Sequence, residues 1–440
     1  MPSSSLKKFS SAAARFTSRR PHATAAALAA LAFVAHLHFF VVSAQSHERW
    51  DSAQYLACAK NLAAGNGFLD ANGVVEARRT PAYPAFLVLF APVHFNETAI
   101  VIVQHFLAIF LVVALFYATR GLTGDPLVAA VAAALLAVDS GQIYMADVVM
   151  TETLASIAIF AIVVLLARGK PAWGGLLTGV KVLLRPVAMY LWIPLAIWTA
   201  IVFRRRPAAV ILFLICAWTP PALWMWRNYE RAGVFSLSSI QGEDLYYWRA
   251  AGTIAMERSG FQYSPLPFGG EERFRYQFFR VVQHEFARNA QRMLGARAAT
   301  MSEAQISEFE GGIARTILRE HARATILLTI YGALHLVFDT TWDYASGIAG
   351  GFVRIALIWW LFIVAVVSFF LAIIGFIRLR HINAPFAWLL AMTLIYFVAV
   401  SSGPEHEQWR YRVPMIPLYS ILIACCIIRR HAGLLPTEDR

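Results

Sequence analysis

Residues 22–43 read HATAAALAALAFVAHLHFFVVS, and residues 50–55, shortly after, read WDSAQY. The first stretch contains no Asp, Glu, Lys or Arg, and at about 20 residues it suffices for one helical crossing of a bilayer. It decides the fold class because the same pattern recurs along the chain. Of 440 residues, 59% are hydrophobic and only 15% charged. The mean hydropathy is +0.57. A soluble domain cannot hide that much apolar surface, whereas lipid can accept it. The reading is an all-α polytopic membrane protein. Spans are expected at 22–43, 98–118, 126–140, 150–167, 172–186, 187–203, 207–226, 352–377, 384–401 and 413–429, about ten transmembrane helices in all.

The net charge is +12, and its distribution matters more than its size. Lys7, Lys8, Arg15, Arg19 and Arg20 precede the first run. Arg120, Arg168 with Lys170, Arg204 to Arg206, Arg378 with Arg380, and Arg429 with Arg430 fall at every second span end. By the positive-inside rule these ends and both termini face the cytoplasm. Loops starting at Asp51, Asp139, Arg185 and Arg227 then face outside. The positive balance suits topology and anionic headgroups, and no nucleic-acid partner is expected. Cys58, Cys216, Cys425 and Cys426 show neither a disulfide framework nor metal-ligand spacing. The basic N-terminus and apolar run resemble a signal peptide, but the run is about twice a usual h-region, so an uncleaved first span is expected.

This reading divides the chain into a basic cytoplasmic N-terminus (1–21), seven spans (22–226) with a catalytic first outer loop (44–97), an extracytoplasmic segment (227–351), three further spans (352–429) and a cytoplasmic tail (430–440). Within 227–351, an amphipathic helix is expected at 271–297. Residues 322–338 are read as interfacial, because a crossing there would put Arg378, Arg380 and His381 outside. In the first loop, Asp51 to Ala64 has helical spacing and stops at Gly65 and Gly67. Pro81 and Pro84 argue against a helix start and for a rigid elbow, followed by a short interfacial stretch at 85–93.

The candidate chemistry lies in charged residues gathered at the outer ends. The acids are Glu48, Asp51, Asp147 and Glu152; the bases are Arg78, Arg79, Lys181, Arg185, Arg227, Arg410 and Arg412. Lys181 and Arg185 share a helix face and interrupt an apolar segment, where a cation costs at least about 2.5–3.5 kcal/mol and needs a partner or a task. Cations at a headgroup plane suit a phosphate or diphosphate, which arginine grips bidentately. A carboxylate facing them suits a general base acting on a hydroxyl. Outside the cytoplasm there is no supply of nucleotide sugars, so the donor must arrive in the membrane, and its phosphate leaves as charge develops. Plainer roles compete at each position. Asp51 with Gln54 also reads as a helix cap. Lys181 and Arg185 could snorkel, and Arg227, Arg410 and Arg412 could anchor spans. His36 and His38 are expected to satisfy local hydrogen bonds.

The runs WDSAQYLACAKNLAAGNGF (50–68) and RRTPAYPAFL (78–87) resemble the first outer loop of C-type (GT-C) membrane glycosyltransferases of the protein mannosyltransferase-like and aminoarabinose-transferase-like family. MTETL (150–154), GLLTGVKVLLRP (175–186), WRNYERAGVFSLSSIQGEDLYYW (226–248) and RYRVPMIPL (410–418) follow in the family's order. The resemblance implies a GT-C-like fold with juxtamembrane helices in the first outer loop. It implies a polyprenyl-phosphate sugar as donor, a lipid-linked glycan, lipid or protein as acceptor, and inverting transfer on the outer face of a bacterial inner membrane. It implies that Asp51 is the catalytic acid of the loop and Glu152 a second acid. Arg79, Lys181, Arg185, Arg227, Arg410 and Arg412 would hold the phosphate, and Tyr55 and Tyr83 would shape the substrate space. The loop shows one aspartate where some branches show a pair, and Lys181 stands where an apolar residue is common, so a divalent cation is allowed but not required. Two other functions fit the composition. One is a transporter or flippase of lipid-linked sugars; the other is a polyprenyl-diphosphate-dependent glycan polymerase or ligase. Acids at one face and no visible internal repeat favour the enzyme.

Overall fold

The computed structural model of the chain describes residues 15–43, 46–261, 275–338, 352–403 and 408–428. Among them the regular structure is helical, with one isolated bridge between Leu69 and Val75. Six helices are long and apolar enough to cross a membrane: Pro21–Val42, Glu97–Thr123, Pro207–Ala232, Ala356–Arg380, Ala384–Ser401 and Arg410–Ile427. Two bent pairs raise the number to eight if each counts as one span. Among the described residues the expected ten is therefore not confirmed, and length is the reason. Glu152–Ala167, Pro171–Leu184 and Trp192–Val202 have 16, 14 and 11 residues, so at about 1.5 Å per residue each falls short of a full hydrocarbon core. The run expected at 126–140 is Pro126–Ala137, bent by 53° against Ser140–Ala146.

Local chemistry sets the boundaries. Asn96, Asp125, Asp139 and Asn383 each accept a backbone N–H in the first turn of the helix that follows. Ser302 and Gln305 form a full capping box for Glu303–Glu320. Gly124 and Gly233 take left-handed dihedrals just past two of the long helices. The loop helix expected at 51–64 appears as Ser52–Ala63. The elbow does not appear. A helix begins at Ala82, directly after Pro81, with Pro84 inside its first turn. The first N–H groups of a helix have no partner within it, so proline costs little there. The amphipathic helix expected at 271–297 is Arg280–Leu294, preceded by a π-helical turn, with 271–274 outside the described residues.

The largest apolar core joins the first helix to Glu97–Thr123, Pro126–Ala137, Glu152–Ala167, Pro171–Leu184, Pro207–Ala232 and the last helices. Pro171–Leu184 meets Pro207–Ala232 through Gly175 and Gly179, four apart. A Cβ at Gly175 would stand 2.3 Å from the Phe213 carbonyl oxygen, and one at Gly179 would stand 2.7 Å from that of Ala217. Small residues at this spacing let backbones touch, which is how helices associate when water drives nothing. A second core, with Tyr55, Leu56, Tyr83, Leu87, Ile100 and Met145, lies beneath the first loop. A third holds the hydrophilic segment together through Tyr246, Met256, Phe279 and Val282.

Contacts sort the helix ends into two groups. At one end, Asn383 bonds the Leu122 carbonyl at 3.2 Å, Trp198 bonds that of Pro385 at 2.7 Å, and Arg378 bonds that of Cys426. The first loop, residues 147–152, Arg185, Arg410 and the hydrophilic segment gather at the other. The Ala322–Phe338 helix, read as interfacial from the sequence, packs against neighbouring helices. Gly332 is packed against the backbone of Gly403, while Phe338 reaches Phe362 and Phe369, the latter 5.3 Å away and well along the Phe352–Arg380 helix.

Candidate active site

Asp51 precedes Ser52–Ala63 without capping it. Its side chain makes no bond to the helix amides. Arg79 takes the pattern apart instead: Nη2 lies 2.6 Å from Asp51 Oδ1, and Nε donates to Gln54 Oε1 at 2.6 Å. A buried guanidinium bonding both groups outcompetes a neutral N–H cap, because charge-assisted bonds are roughly twice as strong. Arg79 is 5% exposed and lies over the Tyr55 ring. Burial, partly offset by Arg79, pushes the Tyr55 hydroxyl up to about 12, so it serves as a neutral hydroxyl and not as a base. Trp50, just before Asp51, has φ 49°, a left-handed conformation that costs a bulky residue energy and is found at functional turns.

A second pair faces the first. Arg185 Nη1 is 2.5 Å from Oε1 of Glu152, whose side chain is fully buried. Glu152 opens Glu152–Ala167, and Arg185 ends Pro171–Leu184 just before Pro186. Between the pairs runs a column of aromatic rings and guanidinium groups. Arg185 lies over Tyr411 at 5.4 Å, and Arg410 lies over Tyr411 at 5.2 Å and over Trp50 at 5.3 Å. Glu152 and Asp51 both act electrostatically on Arg410. Its Nε and Nη1 are buried and have no hydrogen-bond partner among the described residues. Lys181 is 0% exposed, lies 5.7 Å from the Phe397 ring, and its Nζ likewise has no hydrogen-bond partner among the described residues. Among the described residues, the guanidinium groups of Arg79, Arg185 and Arg410 face the two carboxylates of Asp51 and Glu152, with Lys181 Nζ buried nearby. The excess of cations, with donors left over, suits a phosphate group.

Other expected site residues lie elsewhere. Arg227 acts as a structural clamp on the first loop. Its Nη1 and Nη2 donate to the carbonyls of Glu76 and Phe68 at 2.7 and 2.9 Å, and it stacks on Phe68 and Trp224. Arg412, two residues from Arg410, lies near Asp139 and Tyr419. Tyr83 has no exposed surface and bonds Gln104 at 2.8 Å. It therefore buttresses Tyr55, 5.1 Å away, instead of lining the substrate space. Arg78 makes a two-point bridge to Glu243, with Nη2 at 2.9 Å from Oε1, and thereby ties the loop to the hydrophilic segment. Gln54 and Tyr411 join the site although their sequence gave no chemical signal. Among the described residues, no group of three or more His, Cys, Asp and Glu side chains is placed to hold a metal ion.

No protein-family model matches the chain, and no solved structure matches it. Over 62 residues it is 44% identical to the protoheme IX farnesyltransferase of Symbiobacterium thermophilum. That stretch is 13% of this chain and 21% of the farnesyltransferase, so the chain spans about a fifth of that protein.

Proposed function

We propose that the chain is an inverting glycosyltransferase that moves a sugar from a polyprenyl-phosphate donor to an acceptor hydroxyl at the outer face of a bacterial inner membrane. The observation that carries this is the set of buried donors on Arg410 and Lys181 that have no hydrogen-bond partner among the described residues, beside a carboxylate held by Arg79. Unpaired buried donors are costly, and a ligand phosphate removes the cost. Asp51 takes the proton of the acceptor hydroxyl while that oxygen attacks the anomeric carbon. The bond to phosphate breaks, and Arg185, Arg410 and Lys181 receive the growing negative charge. Glu152 fixes the orientation of Arg185. The acids are already committed to arginines, so a divalent cation would have to displace one of these pairs.

The local likeness to a farnesyltransferase supports a second reading, transfer of a prenyl group. Reconstituted full-length protein given a donor labelled separately in sugar and prenyl chain distinguishes the two. Sugar label on the acceptor is expected, and its loss in Asp51→Asn identifies the base. Prenyl label on the acceptor establishes the second reading. Passage of intact donor across the vesicle wall, without transfer, would make the protein a transporter. Transfer by folded Asp51→Asn at the wild-type rate would remove Asp51 from the chemistry.

A further inference from the structure

Behind the two acid–arginine pairs lies a set of polar side chains that the proposed reaction does not use. His36, on Pro21–Val42, is 3% exposed, and its Nδ1 is 2.7 Å from Nδ1 of His105 on Glu97–Thr123. His105 Nε2 lies 3.2 Å from Oδ1 of Asp147, which is 0% exposed. On the other side of Asp147, His47 Nδ1 donates to its carbonyl at 2.9 Å and stands 3.7 Å from Oδ1. His47 keeps 21% of its side chain exposed. The Phe40 ring stacks on His47 and stands edge-on to His105. A chain of four residues thus runs from a half-exposed imidazole to a buried one.

Hydrogen counting limits what this chain can do. Two Nδ1 atoms at 2.7 Å share one hydrogen, since two N–H groups facing each other would repel. When both rings are neutral and His105 donates Nε2–H to Asp147, His36 must donate Nδ1–H to His105. An added proton converts the pair to one imidazolium that Asp147 stabilises, and a second proton is excluded. The pair therefore stores one proton, not two. Other charged groups near the entrance are Glu48, Glu97 and Lys60, which with His47 form one electrostatic group. Arg49 bonds Tyr144 at 2.6 Å on the same side.

The backbone around Asp147 reaches both acid-bearing segments. Val149 N–H donates to the His47 carbonyl, and Ser52 Oγ donates to that of Val149, both at 2.9 Å. Gln104 Nε2 donates to the carbonyls of Ala146 and Val148. Ser52 follows Asp51 in sequence, and Glu152 lies three residues past Val149. We propose that His36, His105, Asp147 and His47 form a one-proton store reached from the site's side of the bundle, whose charge sets the placement of the segments bearing Asp51 and Glu152. Asp147 is in this sense a positioning residue. Its effect on activity rests on the transferase reading, but the proton store does not.

The test uses the full chain in lipid nanodiscs with ring-15N histidine, His36 and His105 being assigned by His36→Gln and His105→Gln. Their ring signals should shift together as the pH is lowered, with the uptake of one proton, and Asp147→Asn should uncouple them. In the transfer assay, Asp147→Asn should displace the pH profile by about one unit, a tenfold change in proton affinity, and Asp147→Glu should restore it. Should Asp147→Asn not fold, His36→Gln should displace the profile in its place. Independent titration of the two rings, or joint titration unaffected by Asp147→Asn, overturns the proposal. Joint titration in a protein that transfers no sugar leaves the store standing and removes the transferase reading. Transfer with an unshifted pH profile in both Asp147→Asn and His36→Gln removes the positioning role.

Discussion

A carboxylate next to a helix start has two possible employers, the helix amides and any cation within reach. Asp51 serves Arg79, and Ser52–Ala63 begins without a side-chain cap. Removing the acid should therefore spare the fold and damage the chemistry. Asp51→Asn is expected to lower transfer by about 10²–10⁴ with little change in thermal unfolding. Lys181 should behave in the opposite way on stability. Its Nζ is fully buried and has no hydrogen-bond partner among the described residues, so Lys181→Met should raise the unfolding temperature of the empty protein. The same change should weaken donor binding by roughly 10- to 150-fold, the value of about 1.5–3 kcal/mol for a hydrogen bond to a charged group. A Met variant that binds donor normally would remove Lys181 from the phosphate site. Arg227→Ala should take a donor from the carbonyls of Phe68 and Glu76 and cost stability on the order of 1–3 kcal/mol, measured by thermal unfolding, with donor affinity unchanged in the protein that remains folded.

At the scale of elements, the short helices matter most. Pro171–Leu184 carries Lys181 near its end, and its placement depends on backbone contact with Pro207–Ala232. Pro221 has no N–H, so the Ala217 carbonyl lacks its usual helical donor, and this is the oxygen that Gly179 approaches. Gly179→Val should force the helices apart and destabilise by about 1–3 kcal/mol or more. Gly121→Ala, in a helix with open space around it, should be neutral or stabilise by about 0.5–1 kcal/mol. Comparing the two variants by thermal unfolding separates contact from propensity. The close crossing of Gly242 with Ser307 and Gly311, and the bridge from Arg78 to Glu243, tie the hydrophilic segment to the first loop. Exchanging the charges at 78 and 243 should recover transfer lost in either single reversal.

For the whole molecule, the basic span ends and the site lie at opposite ends of one helical bundle. Arg378, Leu122, Trp198 and Asn383 meet at one end, and Asp51, Glu152 and Arg410 at the other. If the basic end is cytoplasmic, a cysteine placed at Thr300 in a background lacking Cys58, Cys216, Cys425 and Cys426 should react only with reagent on the outer side. Labelling from the cytoplasmic side alone would invert the topology and end the argument for a membrane-borne donor.

The sequence by itself determined the helical, membrane-spanning character of the chain, because apolar runs of bilayer length allow few other outcomes. It also determined most helix boundaries, because Asn96, Asp125, Gly124 and Gly233 act within one turn of their own position. Where helices bend or stop short was not legible, since composition does not say it; among the described residues six to eight helices or bent pairs are long and apolar enough to cross, against the ten expected. Nor were the partners of each charge. Arg227 and Arg410 look alike in sequence, yet one is spent on loop carbonyls and the other is left with free donors. Arg79 lies 28 positions from Asp51, and His36 lies 69 from His105. Pairings at such separations are set by the packing of whole helices, and only the tertiary structure decides which charge meets which.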